Sequence, residues 1–477
     1  MSKLLLYSNP LALFKLSYSI QTLTRSLLRG LNSYQKTKFR VRGFFFPLAY
    51  KSEKVQPLTM SIIYDLLGRS IEPSQVKLGV EIERFGKDAT GRMIRYETHL
   101  KIFFKEMIES RGWSPAYQVG DEIMAIERLG DQWSLEPGSQ LELSAGPCAS
   151  LHELKEQQER LEHEAATMKS AEGWSWNWLG LNPDEDAESI KIIPSPRYAI
   201  MTEYFKKNGG RGLDMMRLTT GCHVNFDYWC PDHAMKILRV GAMIAPTFVA
   251  LFANSPFFKG RFSGRLSERV GIWQKTDPLR SGIPEFLFLK QACQNGAEAS
   301  MHDYVNLVES TPLMFYFDES DKAHPALGKS WRDLSKDLQK KNALPAIRQQ
   351  FLETRLKPCC VELRFLDQNE PAIRMSSFAM LVGLLQDPQT LEVLNKEAFN
   401  KTASGILKEM DQASYVGLKD DYFYETAKKY LQLASRGLSE RKLGEEKFLQ
   451  PIEEILKLRK NPAQQLLDSK MALEFQG

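Results

Sequence analysis

Four short segments of this chain place ionisable or polar residues at every second position, a spacing that fits β-strands and not helices. They are Val80-Glu81-Ile82-Glu83, Gln140-Leu141-Glu142-Leu143-Ser144, Cys222-His223-Val224-Asn225-Phe226-Asp227 and Val361-Glu362-Leu363-Arg364-Phe365. Successive side chains on a strand point to opposite faces. Each segment therefore has one apolar face and one face of acids, amides, a histidine or an arginine. A lone half-exposed antiparallel strand has the same pattern. Four together differ in their chemistry. Solvated strand faces carry Thr, Lys, Ser and mixed charges, whereas here short acids recur with little Lys. Carboxylates gathered on one sheet face repel one another unless cations lie between them. Hard oxygen donors suit Mg2+, which keeps some waters and shares its coordination with phosphates. The pattern points to a metal–nucleotide site on a sheet.

Helical periodicity lies between the strands, over Leu151 to Met168, Ala234 to Phe252, Met375 to Leu385 and Tyr422 to Leu438. From Glu440 on, a charged helical pair is joined near Asn461-Pro462. Strands and helices mix without regular βαβ alternation, which predicts an α+β fold. No G-x-x-x-x-G-K-S/T and no G-x-G-x-x-G occurs, so a P-loop or dinucleotide fold has no support. Arg269 and Arg280 stand with Trp273 among turn residues between Ser267 and Gly282. Arginine grips carboxylates and phosphates through paired hydrogen bonds, so this stretch reads as an anion-binding loop, although surface ion pairs in a loop look alike. Trp174, Trp176 and Trp178 at strand spacing read as packing rather than as a platform for adenine.

Composition narrows the rest. Lys and Arg number 63 against 59 Asp and Glu, for a net charge of +4. Nine of the bases lie before Glu53 and no acid does, so the remainder is mildly acidic and a nucleic-acid footprint is not indicated. The six cysteines form no C-x-x-C pair and no zinc spacing, which leaves free thiols as the plain reading. The longest weakly polar run, Val240 to Ala253, is broken by Pro246 and Thr247 and is too short for a membrane span. Residues 1–56 are basic and Ser-rich, with Glu53 as their single acid. That is the composition of an organellar transit peptide, and equally of an extension upstream of a start at Met60. Cytoplasmic residence is the first expectation, an organelle the alternative, and residues 1–56 are expected to be dispensable for catalysis.

Several segments together resemble the glutamate–cysteine ligase family of plants and many bacteria. The likeness runs through Gly79-Val80-Glu81-Ile82-Glu83-Arg84-Phe85, Ser134-Leu135-Glu136-Pro137-Gly138-Ser139-Gln140-Leu141-Glu142-Leu143-Ser144, Pro196-Arg197-Tyr198 and Gly212-Leu213-Asp214-Met215-Met216. It continues through Val224-Asn225-Phe226-Asp227, Ala253-Asn254-Ser255-Pro256-Phe257, Ser267 with Arg269, Ile272-Trp273, Arg355-Leu356-Lys357 and Glu362-x-Arg364, and covers about residues 57 to 470. At Gly221-Cys222-His223-Val224-Asn225 the chain departs from the usual plant pattern and resembles the G-x-H-x-N stretch of enterobacterial relatives and glutamine synthetases.

The resemblance implies a single catalytic domain over residues 57–477, with a curved, glutamine-synthetase-like antiparallel sheet and helices outside. It implies ligation of the glutamate γ-carboxylate to the amine of cysteine, with ATP and Mg2+, through a γ-glutamyl phosphate. It assigns Arg269, Arg280 and His223 to catalysis, and Arg269, Trp273, Asn225 and Met216 to substrate binding. Gln140, Ser144 and Arg364 fall to ATP, and Glu81, Glu83, Glu142 and Glu362 to the metal. Two alternatives stay open: a related carboxylate–amine ligase with another acceptor, and a catalytically silent nucleotide-binding relative. Oligomeric state is not legible.

Overall fold

The alternating segments become strands, and the fold sets all four side by side. The computed structural model describes residues 61–289 and 298–474; the basic segment 1–56, Met60 and Cys293 lie outside them. Nine strands form the main sheet: β1 (Leu78–Lys87), β2 (Ser114–Val119), β3 (Glu122–Arg128), β4 (Asp131–Leu135), β5 (Leu141–Cys148), β6 (Ser175–Asn177), β7 (Gly221–Asp227), β8 (Thr354–Lys357) and β9 (Cys360–Asp367). Their order is β8-β9-β7-β1-β5-β4-β3-β2, with β6 on the far end of β1. Every pairing in this sheet is antiparallel.

The polar-faced strands are therefore the consecutive set β9, β7, β1 and β5. Their register aligns the polar positions. Glu81 lies opposite His223 on one side and Ser144 on the other. Glu83 lies opposite Glu142, and Glu362 opposite Asn225 and Arg355. Because side chains alternate, this register turns all of these groups to one face.

Helices α1 (Leu151–Ala166) and α4 (Pro231–Phe252) lie on the opposite, apolar face, with α6 (Pro371–Leu385) and α7 (Asp421–Arg441) packed against them; α2 (Pro196–Asn208), α3 (Gly212–Leu218) and α5 (Glu268–Gln274) pack on one another. Helix α1 starts at Ser150, whose Oγ accepts from the Glu153 N–H, a standard N-cap. Helix α4 starts at Pro231, where a missing N–H costs nothing. It lies so close on β9 that a Cβ at Gly241 would sit 2.7 Å from Leu363 Cδ2. By length and composition α4 is able to cross a membrane, contrary to the sequence expectation, but 94% of its apolar window is buried inside the protein. Helices α6 and α7 cross where both offer glycine: a Cβ at Gly437 would fall 2.0 Å from the Gly383 carbonyl oxygen.

One charge sits on the buried face. Arg84 is 1% exposed, with its guanidinium carbon 5.2 Å from the ring centres of Trp133 and Trp176 and 5.5 Å from that of Trp178. Glu162 on α1 pairs with it at 3.4 Å and with Arg374 at 3.1 Å. The tryptophan repeat is thus packing, as its spacing suggested, but packing around an arginine.

Candidate active site

The polar face divides into two groups of acids. In the first, ligand atoms of Glu81, His223 and Glu362 all lie within 4.8 Å of one another. Asn225 Nδ2 donates to Glu81 Oε1 at 3.3 Å, and His223 Nδ1 lies 3.4 Å from Glu81 Oε2. Three bases already serve this group. Lys357 Nζ reaches Glu81 Oε1 at 2.6 Å and Glu362 Oε1 at 3.2 Å. Arg355 reaches Glu362 Oε2 at 2.6 Å and Arg364 the same oxygen at 3.0 Å. Burial alone would raise both acids, but these cations win: Lys357, helped by His223, holds Glu81 down at about 2, and Arg355, Lys357 and Arg364 hold Glu362 well below the usual carboxylate range. Burial, with the Arg364 charge nearby, lowers His223 to about 4, so its imidazole is neutral near pH 7. Its Nε2 is buried without a hydrogen-bond partner.

The second group is Glu83, Glu136 and Glu142, again with ligand atoms within 4.8 Å. Among the described residues, only neutral donors bind it: Gly221 N–H to Glu83 at 2.7 Å, and Ser134 and Ser144 hydroxyls to Glu142 at 2.8 and 3.4 Å. Burial and mutual repulsion dominate, and each of the three is raised to about 8. Three oxygen donors in a pocket without a bonded base are the donor set a hard divalent cation fits. Mg2+ would be held here by Glu83, Glu136 and Glu142.

A cationic wall adjoins this floor. Ser267 caps α5 by accepting from the Val270 N–H. Asp367, at the end of β9, accepts from the hydroxyls of Ser255 and Ser267 and from the Asn254 N–H, and so fixes where α5 begins. This sets Arg269, 2% exposed, against the sheet, where its Nη2 donates to the Arg364 carbonyl at 2.8 Å. A Cβ at Gly221 would lie 2.7 Å from that Nη2, so glycine there lets the guanidinium lie against β7. Trp273, one turn along α5, has the guanidinium carbons of Arg269 and Arg364 at 5.5 and 5.2 Å from its ring centre. The stretch read as an anion-binding loop is thus partly a capped helix, and Arg269 is not a surface ion pair.

Residues 77–475 match the model of glutamate–cysteine ligase family 2. The chain belongs to this family. Among curated relatives, glutamate–cysteine ligase B, chloroplastic, of Oryza sativa subsp. japonica is 29% identical over 432 residues, covering 87% of this chain and 85% of the relative. The chloroplastic glutamate–cysteine ligase of Arabidopsis thaliana is 28% identical over 478 residues, covering 95% and 88%. A solved glutamate–cysteine ligase of Francisella tularensis, in complex with AMP, aligns over 84% of this chain and 85% of its own, with 12% identity and a TM-score of 0.48.

In this member of the glutamate–cysteine ligase family, ten of the thirteen candidate residues meet on the polar face or its wall: Glu81, Glu83, Glu142, Glu362, His223, Asn225, Ser144, Arg364, Arg269 and Trp273. Three are placed elsewhere. The Gln140 amide is used up inside the protein, accepting from the Gly138 N–H and donating to the Met216 and Thr219 carbonyls; it ties the β4–β5 loop to α3. Met216 is 3% exposed in the core. Arg280 is bonded to Asp277, the Tyr204 hydroxyl and the Pro312 carbonyl, away from the acids. Conversely, Glu136, Lys357 and Arg355 belong to the site. Glu136 had a signal: it follows Ser134 by two positions, in phase with the polar face. Lys357 and Arg355 share the same period on β8, a strand too short to stand out.

Proposed function

We propose that this face joins the γ-carboxylate of glutamate to the amine of cysteine, using ATP, through a γ-glutamyl phosphate, as the first step of glutathione synthesis. What carries the reading is the convergence of a carboxylate trio, a second group of two glutamates with His223, and an arginine wall on one sheet face, in a chain whose relatives bear the name glutamate–cysteine ligase.

The chemistry asks for that convergence. A γ-carboxylate oxygen attacks the terminal phosphorus of ATP, the bond to ADP breaks, and an acyl phosphate results. The neutral amine of cysteine then attacks the acyl carbon, phosphate leaves, and the amine proton is released. The first step brings two anions together. Mg2+, when bound at Glu83, Glu136 and Glu142, supplies charge neutralisation of phosphate oxygens. Arg269 and Arg364 offer fixed guanidinium groups beside Trp273 for a carboxylate or phosphate. Both have a buried Nε without a partner in the protein, a donor left for a substrate oxygen. Held against the acyl phosphate, the amine reacts by proximity rather than through a protein nucleophile. The cysteines suit this: burial raises Cys148, Cys222 and Cys360 to about 12, which leaves them poor nucleophiles.

The match over residues 77–475 and the compact unit that begins at Ser61 support one catalytic domain. The relatives named chloroplastic, with the basic, acid-poor composition of residues 1–56, favour the organelle over the cytoplasm. The deciding experiment is phosphate release with ATP, Mg2+ and glutamate, with and without cysteine. Cysteine-dependent release with a γ-glutamylcysteine product is expected. Release with another amine only, or with none, would replace the reading by another ligase or by a silent relative.

A further inference from the structure

The two groups of acids differ in one respect that the ligase chemistry does not explain. Cation positions made of carboxylates are expected to be open to ions, yet only one of these is. Among the described residues, Glu83 and Glu142 accept hydrogen bonds from neutral groups alone. Between Glu81 and Glu362 a cation is already seated: the Lys357 ammonium, 2.6 Å from one carboxylate and 3.2 Å from the other. It comes from the last residue of β8, two positions beyond Arg355, and the antiparallel register with β9 places it on the polar face. Its four-carbon stem lets the ammonium swing, whereas Arg355 is locked by its own bonds to Glu362 and to the Arg348 and Gln350 carbonyls. The third member of the trio, His223, is 2% exposed and presents an unpartnered Nε2.

We propose that Lys357 is a built-in cation that sets the order in which this face takes divalent ions. The first ion goes to Glu83, Glu136 and Glu142. An ion at Glu81, His223 and Glu362 must first displace the Lys357 ammonium, and so binds more weakly. Lys357 is a positioning residue in this scheme: it acts through the carboxylates it holds. The inference rests on the cation-binding ligase reading above.

The test is Mn2+ binding to the full chain, followed by the electron paramagnetic resonance of free Mn2+, with Mn2+ standing in for Mg2+ as another ion of oxygen ligands. The unaltered chain should bind one ion tightly, lose it on Glu142→Gln, and bind a second weakly. In Lys357→Met and Lys357→Gln the second site should tighten by about tenfold or more, because the ammonium between Glu81 and Glu362 is gone and only Arg355 and Arg364 remain on Glu362, while the first is unchanged. Lys357→Arg keeps a cation and should leave the second site weak. Lys357→Gln retains a polar side chain, so it decides the matter if the Met variant misfolds. A second site unmoved or weakened in the neutral variants, with the first intact, overturns the ordering role alone. An unaltered chain in which Mn2+ binding does not depend on Glu142 overturns the metal reading of the site, and the ordering with it.

Discussion

Glu83 and Glu142 stand directly opposite each other on β1 and β5, with Glu136 beside them and, among the described residues, no basic side chain bonded to any of the three. Two like charges across a strand pair destabilise a sheet. The arrangement is tolerable when the acids share protons or a cation, and that gives a pH signature. Their folded pKa values, about 8, lie above the ordinary 4.5. A raised carboxylate binds protons more tightly in the folded state. Its contribution is full below pH 4.5 and is lost as pH rises through about 8. Without divalent ions, thermal stability should therefore fall between pH 6 and pH 8.5. Added Mg2+ should offset the loss, since ions at 100 times their Kd stabilise by about 2.7 kcal/mol. The Mg2+-induced rise in Tm should be larger at pH 8.5 than at pH 6. Equal rises at both would disprove a protonated trio.

Glu142→Gln tests the same trio by chemistry. Gln keeps the shape and an oxygen for Ser134, but removes a charge. ATP turnover should drop by roughly 100-fold or more if this acid holds a metal. The same change relieves repulsion, so the metal-free variant should melt above the unaltered protein at pH 8.5. Near-normal turnover at limiting Mg2+ would remove Glu142 from the metal.

Arg269→Lys retains the charge and loses the fork. The guanidinium donates to the Arg364 carbonyl and flanks Trp273, geometry a lysine does not reproduce. Hydrogen bonds to charged groups contribute about 1.5–3 kcal/mol, so the glutamate KM should rise by about tenfold or more, or kcat fall equally. Steady-state kinetics at saturating ATP reads either effect; unchanged constants would leave Arg269 a purely structural residue.

What was legible in the sequence was whatever has a short period. The two-residue alternation marked Glu81, Glu83, Glu142, His223 and Glu362, and an antiparallel sheet then had to bring their faces together. The 3.6-residue period marked α1, α4, α6 and α7 to within a few residues. Partnerships across the fold had no such signal. Gln140 is in phase with Glu142 and looked like a ligand, but the chain turns just before β5 and sends its amide to the α3 carbonyls. Arg280 looked like Arg269 until Asp277, three residues before it, claimed its guanidinium. Lys357 is one lysine among many in the sequence, and only the β8–β9 register shows it between two glutamates.

Arg84 carries a prediction about stability. Its guanidinium fills a box of three tryptophan rings, and Glu162, its partner, also holds Arg374. Arg84→Ala would leave a cavity and unstack the rings, at a cost of about 3 kcal/mol. Arg84→Met refills the volume and leaves Glu162 still paired, so it should cost less than about 1.5 kcal/mol. Urea unfolding separates the two variants. Equal losses would mean that the charge, not the volume, matters at this position.

The last prediction concerns residues 1–56. Their composition has a single acid, Glu53, and few means of building a core of its own. The family match begins at residue 77, and the compact unit begins at Ser61 with a helix, Ile62–Leu67, capped by the Ser61 hydroxyl. That helix is anchored: Ile63 and Leu67 are fully buried, and the Leu67 carbonyl accepts from the buried Tyr228 hydroxyl. Cutting inside it would remove core contacts, whereas a chain beginning at Met60 keeps the cap and everything the cap protects. Such a chain should match the full protein in Tm within about 2 °C and in ligase kcat/KM within about twofold, because surface and terminal changes away from packed features stay within about 0.5 kcal/mol. A chain beginning at Gly68 should lose several degrees by comparison. If the Met60 chain behaves like the Gly68 chain, residues before 60 contribute to the fold, and the basic segment is part of the enzyme rather than an address or an extension.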